Sequence, residues 1–251
     1  FEEHPRQYEL ISFEENGGIA HARNFAISHS TTEYLLFVDS DDIFDKELIE
    51  KQYKAITADK ELIGVSCWSR FINEKGEKIH GGTFLGETTK EGFIEKAKRK
   101  KLIFLPIHTM FHRQSAIDAG NIRIKGFAPT RPRMQDFCEE LDMWTRMSDL
   151  HINNKAIITL PEVLYYYRKS DGLSSNHFNM IIKMRYTKAN LLRRRAGEKE
   201  LTFIEFYDSL TPKQLKELHK DANAADALRN GAFYLKKGNI FKGAWEILKC
   251  I

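Results

Sequence analysis

Asp39-Ser40-Asp41-Asp42 places three carboxylates within four positions, straight after the apolar run Tyr34-Leu35-Leu36-Phe37-Val38. Hard oxygen ligands held on a rigid strand end suit Mg²⁺ or Mn²⁺, with substrate phosphates completing the shell. The plainer use of such a cluster is to cap a helix that starts near Ile43. A second acidic group, Glu139-Glu140, opens a stretch in which Leu141, Trp144, Met147 and Leu150 fall on one helical face. A carboxylate at a helix N-terminus stays ionised and can take a proton, although acidic residues also simply favour helix starts. Asp136 is a further carboxylate close by, and Arg168 could reach a diphosphate.

These groups need elements to hold them. Tyr8 to Phe13 alternates like a strand. Gly17-Gly18 permits the positive φ of a tight turn, and Ile19 to Ser28 follows as a helix with small residues Ala20, Ala22 and Ala26. Tyr34 to Val38 is the next strand, so the two strands would be parallel through a right-handed crossover. Further on the pattern predicts a helix over 45–58, a strand over 62–68, and a turn at Asn73-Glu74-Lys75-Gly76 as a hairpin tip. A helix over 88–101, a strand over 103–111 and a short helix stopped by Gly120 come next. Pro129 and Pro132 make 126–134 a loop, and 156–160 and 163–168 read as two strands. From Phe178 the chain is almost wholly helical, with a break where Thr211 caps and Pro212 starts a new helix. The last two helices should meet at Lys237-Gly238-Asn239 as a hairpin.

The chain has 251 residues and a net charge of +4, which is mild and does not point to nucleic acid. The basic stretches Lys96 to Lys101 and Arg193 to Arg195 are not interleaved with aromatic residues in the way that nucleic-acid binding favours. With the helical tail they form a candidate contact for an anionic membrane surface. Three cysteines without metal-ligand spacing fit a reducing compartment. No apolar run approaches the roughly 18 residues that span a bilayer, and no signal-peptide pattern opens the chain. Together these point to a cytoplasmic protein, with peripheral contact on the inner membrane face as the variant. His108 and His112 lack the neighbours that zinc requires and read as packed or acceptor-facing, and Trp68 and Trp144 read as core.

The order Asn16-Gly17-Gly18-Ile19-Ala20-His21-Ala22-Arg23-Asn24, strand, Asp39-Ser40-Asp41-Asp42 resembles the family 2 glycosyltransferases of the GT-A fold. That family carries Glu-Asp-x-Asp-Leu-Trp at a helix start, and this chain has Glu139-Glu140-Leu141-Asp142-Met143-Trp144, then Arg146. Tyr167-Arg168 followed by Ser174-Ser175 matches a fourth family feature. The resemblance covers roughly residues 8 to 176. It implies an α/β, GT-A-like (Rossmann-like), mostly parallel sheet flanked by helices, with a glycosyltransferase domain over 1–176 and a helical C-terminal extension over 177–251.

By the same resemblance Asp41 holds the metal and Asp39 touches the ribose or the metal shell, while Asn16, Gly18, Arg23, Asn24 and Arg168 serve the nucleotide-sugar. The base position falls on Glu140, a departure from the family's aspartate, with Glu139 next and Asp136 as a further substitute. Where the family often has a histidine, this chain has Ser170, and His177 is a weak replacement. The implied activity is inverting transfer of a sugar from a nucleotide-sugar, UDP-linked, to a saccharide or lipid-linked saccharide in bacterial surface polysaccharide synthesis. The rivals are a catalytically silent nucleotide- or glycan-binding relative and a metal-dependent nucleotidyltransferase. The family's first strands and nucleotide-binding turn have no counterpart before Asn16, which fits a piece of a longer protein.

Overall fold

The computed structural model describes residues 8–130, 132–169, 176–236 and 238–248. Six strands form one sheet: β1 (Tyr34–Leu35), β2 (Ile43–Phe44), β3 (Leu62–Ile72), β4 (Lys78–Thr83), β5 (Met110–His112) and β6 (Ala156–Arg168). Their order is β1-β5-β3-β6-β2, with β4 paired to β3. Helices α1 (Ile19–His29), α2 (Leu48–Ala58), α3 (Lys90–Lys98), α4 (Arg113–Asp118) and α5 (Glu139–Met147) flank it, and α6 (His177–Arg195), α7 (Phe203–Asp208), α8 (Pro212–Lys236) and α9 (Ile240–Leu248) follow. The class is α/β, as expected.

The pairing is mixed rather than mostly parallel. β3 and β6 run parallel from Leu62 opposite Ala156 to Ile72 opposite Arg168, and the other four pairings are antiparallel. One cause is local: the Asn73–Gly76 turn folds β4 straight back on β3, with Asn73 Oδ1 accepting from the Lys75 and Glu77 N–H groups. Another is that residues 8–13 form no strand. Their alternation lacks a neighbouring strand, and the segment lies on α1, where Phe13 meets His21 and Phe25 edge-on and Glu9 meets His29. The expected strand over 103–111 shortens to β5, because Pro106 offers no ladder N–H and its carbonyl is bent back to accept from Thr109 Oγ1. The two expected strands at 156–168 are one, with Pro161 and Glu162 bulged out where Leu160 faces Cys67 and Val163 faces Trp68.

Residues 62–67 are buried without interruption, the pattern of a central strand covered on both faces. Val65, Ile157, Phe111 and Trp144 join Ile27 of α1 and Met143 and Met147 of α5 in the main core. In a smaller cluster Leu48 of α2 packs on Cys67, Leu164 and Tyr165. A separate cluster, Ile182, Tyr186, Phe203, Phe206 and Leu218, ties α6, α7 and α8 together and receives Phe127 and Met134 from the 126–134 loop. The α7 start is fixed by a capping box between Thr202 and Glu205. Thr211 and Gln214 make the equivalent reciprocal bonds at α8.

Candidate active site

The glycine turn, the acidic turn and the start of α5 are far apart in the chain but close in the fold. Gly18 has φ +90°, and a Cβ there would lie 2.2 Å from an Asp136 carboxylate oxygen. A glycine at this helix-capping position brings no side chain to the first N–H groups of α1. Asp136 supplies it from across the fold: its Oδ1 accepts from Ala20 N at 2.9 Å. Arg133, on the same turn as Asp136, donates to the Asn16 carbonyl, and Asn16 Oδ1 accepts from Gly18 N at 3.0 Å. Asn16 and Gly18 therefore dock α1 onto the segment that leads into α5. Asp136, read from sequence as a substitute base, instead positions α1.

Arg23, one turn further along α1, joins the two acidic groups. Its Nη2 donates to Asp39 Oδ1 at 2.8 Å and its Nη1 to Glu139 Oε1. Burial alone would lower the Arg23 pKa, yet Glu139, Asp39 and Glu140 together raise it, so the guanidinium stays charged. Glu139 is buried at 4% exposure. Burial, then the charge of Glu140, pushes its carboxyl well above the usual range, and Arg23 opposes them. Glu140 is only half-buried.

The backbone aims this pair. Cys138 sits at φ 48°, ψ 37°, a left-handed conformation that a non-glycine residue adopts at a cost, often at functional sites. The chain turns there sharply from extended Phe137 into α5. Behind the pair, Asp142 is fully sequestered. Burial would raise its pKa, but Arg146, Arg123 and Lys183 outweigh burial and hold it below the usual range. Arg146 Nε donates to Asp142 Oδ2 at 3.0 Å and Arg123 lies 3.3 Å away.

The acidic turn closes through Asp42 N to Asp39 O at 3.2 Å and sits at the carboxyl end of the parallel pair β3–β6. Open α/β sheets bind ligands at such ends. Asp42 Oδ1 accepts from Arg168 N at 2.7 Å, and burial raises its pKa more than that bond lowers it. Arg168 Nε donates to the Asp41 carbonyl at 2.6 Å, and its Nη1 to the Asn73 and Glu74 carbonyls at 2.7 Å each. Arg168 thus staples the turn to the β3–β4 hairpin. Tyr165 accepts from Asp39 N at 3.3 Å, and its ring stacks at 3.8 Å on His108. His108 is packed core, its pKa pushed down to about 3 by burial. His112 caps α4, and Trp144 is fully buried.

Not every expected residue converges. The Asn24 amide is spent on the Ile122 carbonyl. His177 Nδ1 meets Asp226 Oδ1 at 2.6 Å, linking α6 to α8. Ser170, Ser174 and Ser175 lie outside the described residues. Sequence reasoning missed Tyr165, Arg133 and the capping role of Asp136. The last had one clue, a capping glycine that leaves α1 in need of an acceptor from elsewhere.

Among the described residues no group of three or more His, Cys, Asp or Glu side chains forms a ready-made metal cage. The donor set still fits Mg²⁺ or Mn²⁺, which bind through one or two carboxylates plus substrate phosphates. Asp41 is exposed, and Asp39 lies two residues away on the same tight turn.

Residues 1–120 match the family model described as glycosyl transferase family 2. That stretch, a little under half of the chain, is similar to the family 2 glycosyltransferases. An uncharacterized glycosyltransferase of Rickettsia felis is 39% identical over 74 residues, 28% of this chain and 12% of that protein. One from Methanocaldococcus jannaschii is 26% identical over 159 residues, 63% of this chain and 50% of that protein. The chain thus spans about half the length of the archaeal relative and about an eighth of the rickettsial one. The matched family region holds the glycine turn and the acidic turn, whereas Glu139, Glu140 and Arg168 lie beyond it.

Proposed function

We propose that this chain catalyses inverting transfer of a sugar from a nucleotide-sugar, UDP-linked, to a saccharide or lipid-linked saccharide of a bacterial surface polysaccharide. The observation that carries the reading is Arg23, which holds Asp39 of the acidic turn and Glu139 of the α5 carboxylate pair at one point. Glu140, half-buried beside that point, removes the acceptor proton as the hydroxyl attacks. Asp41 and Asp39 would hold Mn²⁺ or Mg²⁺, which would supply charge neutralisation for the departing diphosphate. Asn16, Gly18 and Asn24 keep α1 in place, and Arg168 fixes the acidic turn below the donor phosphates.

No helix among the described residues is long and apolar enough to cross a membrane. We place the chain at the cytoplasmic face, in peripheral contact with lipid. The exposed Ile240, Phe241 and Trp245 of α9 and the basic end of α3 support that placement.

A single base and one displacement invert the anomeric centre. Proton NMR of the freshly formed glycoside, made by the full-length protein, should therefore show the anomeric configuration opposite to that of the donor. A product with the donor's configuration overturns the single-displacement mechanism.

A further inference from the structure

A cleft of about 340 Å³ opens between the 126–134 loop, α6 and α7. That volume is at the small end of ligand pockets, about 300–1,000 Å³. Its floor is apolar: Ile182 and Phe203 are buried at 1% and 6% exposure. Tyr207 stands in the wall with 42% of its surface exposed, and Asn179, Thr130 and Asp208 add an amide, a hydroxyl and a carboxylate. Among the described residues that line it, none is Lys or Arg. An aromatic face beside a few directional polar groups matches a hexose ring, which offers one C–H face and a rim of hydroxyls.

The cleft is tied to the segment that leads into α5. Its loop wall includes Met134, whose carbonyl accepts from Lys183 Nζ at 3.2 Å. Its α6 wall includes Asn179, and the next residue, Met180, places Sδ 3.5 Å from Cys138 Sγ. Met134 leads through Asp136 to Glu139-Glu140, and Cys138 immediately precedes them. The third wall is tied to the loop by Phe203 N donating to the Gly126 carbonyl at 2.9 Å. All three walls lie outside the matched region 1–120, and two of them, the loop and α6, adjoin the start of α5.

We infer that this cleft is the acceptor subsite and binds a neutral hexose unit of the acceptor glycan, with Tyr207 against the ring and Asn179 and Asp208 on its hydroxyls. The inference rests on the transferase reading above for its role in the reaction, but not for the binding itself.

The test uses the full-length protein without donor. Methyl glycosides of glucose, galactose and N-acetylglucosamine are titrated while the resonances of Tyr207 and Asn179 are followed by NMR. At least one should shift them saturably, and Tyr207→Ala should weaken that binding about tenfold, with Asp208→Asn also weaker. Tyr207 is exposed enough that its removal leaves the Phe203 core in place, which a thermal melt checks. Saturable shifts without any sugar transfer would retain the hexose site and overturn only the transferase reading. No shift with any glycoside, or binding equal in wild type and Tyr207→Ala, overturns the subsite.

Discussion

Glu140→Gln is expected to lower kcat for sugar transfer by about 10²–10⁴-fold, the range a positioned general base contributes. The acceptor KM should change far less, because the glutamine keeps the shape and loses only the ability to take the proton. The choice of Glu140 over Glu139 follows from burial. Glu139 is 4% exposed, held by Arg23, and pushed towards its protonated form by burial and by Glu140. On the proposed mechanism it serves as an electrostatic brace. Glu140, the neighbour, stays half-buried and is the more exposed of the two. Steady-state kinetics at saturating donor checks the assignment. A large kcat loss in Glu139→Gln with none in Glu140→Gln would exchange the two roles.

Arg23→Ala is expected to reduce both stability and activity. Removing one partner of a buried pair leaves the other charge uncompensated, at a cost of about 3–5 kcal/mol. Arg23 and Glu139 fit that case, with side-chain exposures of 14% and 5%. Glu139 would respond by binding a proton, which limits the loss, and the response fixes the pH dependence. A carboxyl whose folded pKa lies above its unfolded value, about 4.3, binds more protons folded than unfolded. Stability then falls as pH rises from the unfolded pKa through the folded one. Without Arg23 the Glu139 carboxyl moves further up, so the deficit of the variant should be small near pH 5 and larger at pH 8. Urea midpoints for both proteins across that range would show it. A deficit independent of pH would mean that Arg23 acts through packing alone. Activity should fall as well, since Arg23 also aligns Asp39.

What the sequence discloses about this site is what local chemistry encodes. Gly17-Gly18 before small residues announces a turn and a close-packed helix, and Asp39 to Asp42 after an apolar run announces an acidic strand end. Glu139-Glu140 before Leu141, Trp144 and Met147 announces a helix with a charged start. The turn and both helices lie where expected, but the strand expected over Tyr34 to Val38 is only Tyr34–Leu35, so the carboxylates follow a non-strand stretch rather than a strand end. The pairing of the sheet was less legible, because alternation at Tyr8 to Phe13 gives a strand's pattern but cannot supply a partner strand. Pro106 and Pro161 reshaped two more strands through missing N–H groups. Least legible were contacts across the chain. Asp136 caps a helix 116 residues away, and Arg168, an apparent phosphate ligand, spends Nε and Nη1 on backbone carbonyls. Motif spacing names such residues but not which atoms they meet.

The most direct measurement of the central claim is release of nucleoside diphosphate from UDP-, GDP- and dTDP-linked sugars by the full-length protein, with and without Mn²⁺. Wild type is compared with Asp41→Ala. Release from at least one donor should depend on the cation, and Asp41→Ala should slow it by about 10²–10³-fold, the loss expected when one group stabilising developing charge is removed. Equal release by the two proteins, or none by wild type from any donor, would contradict the account.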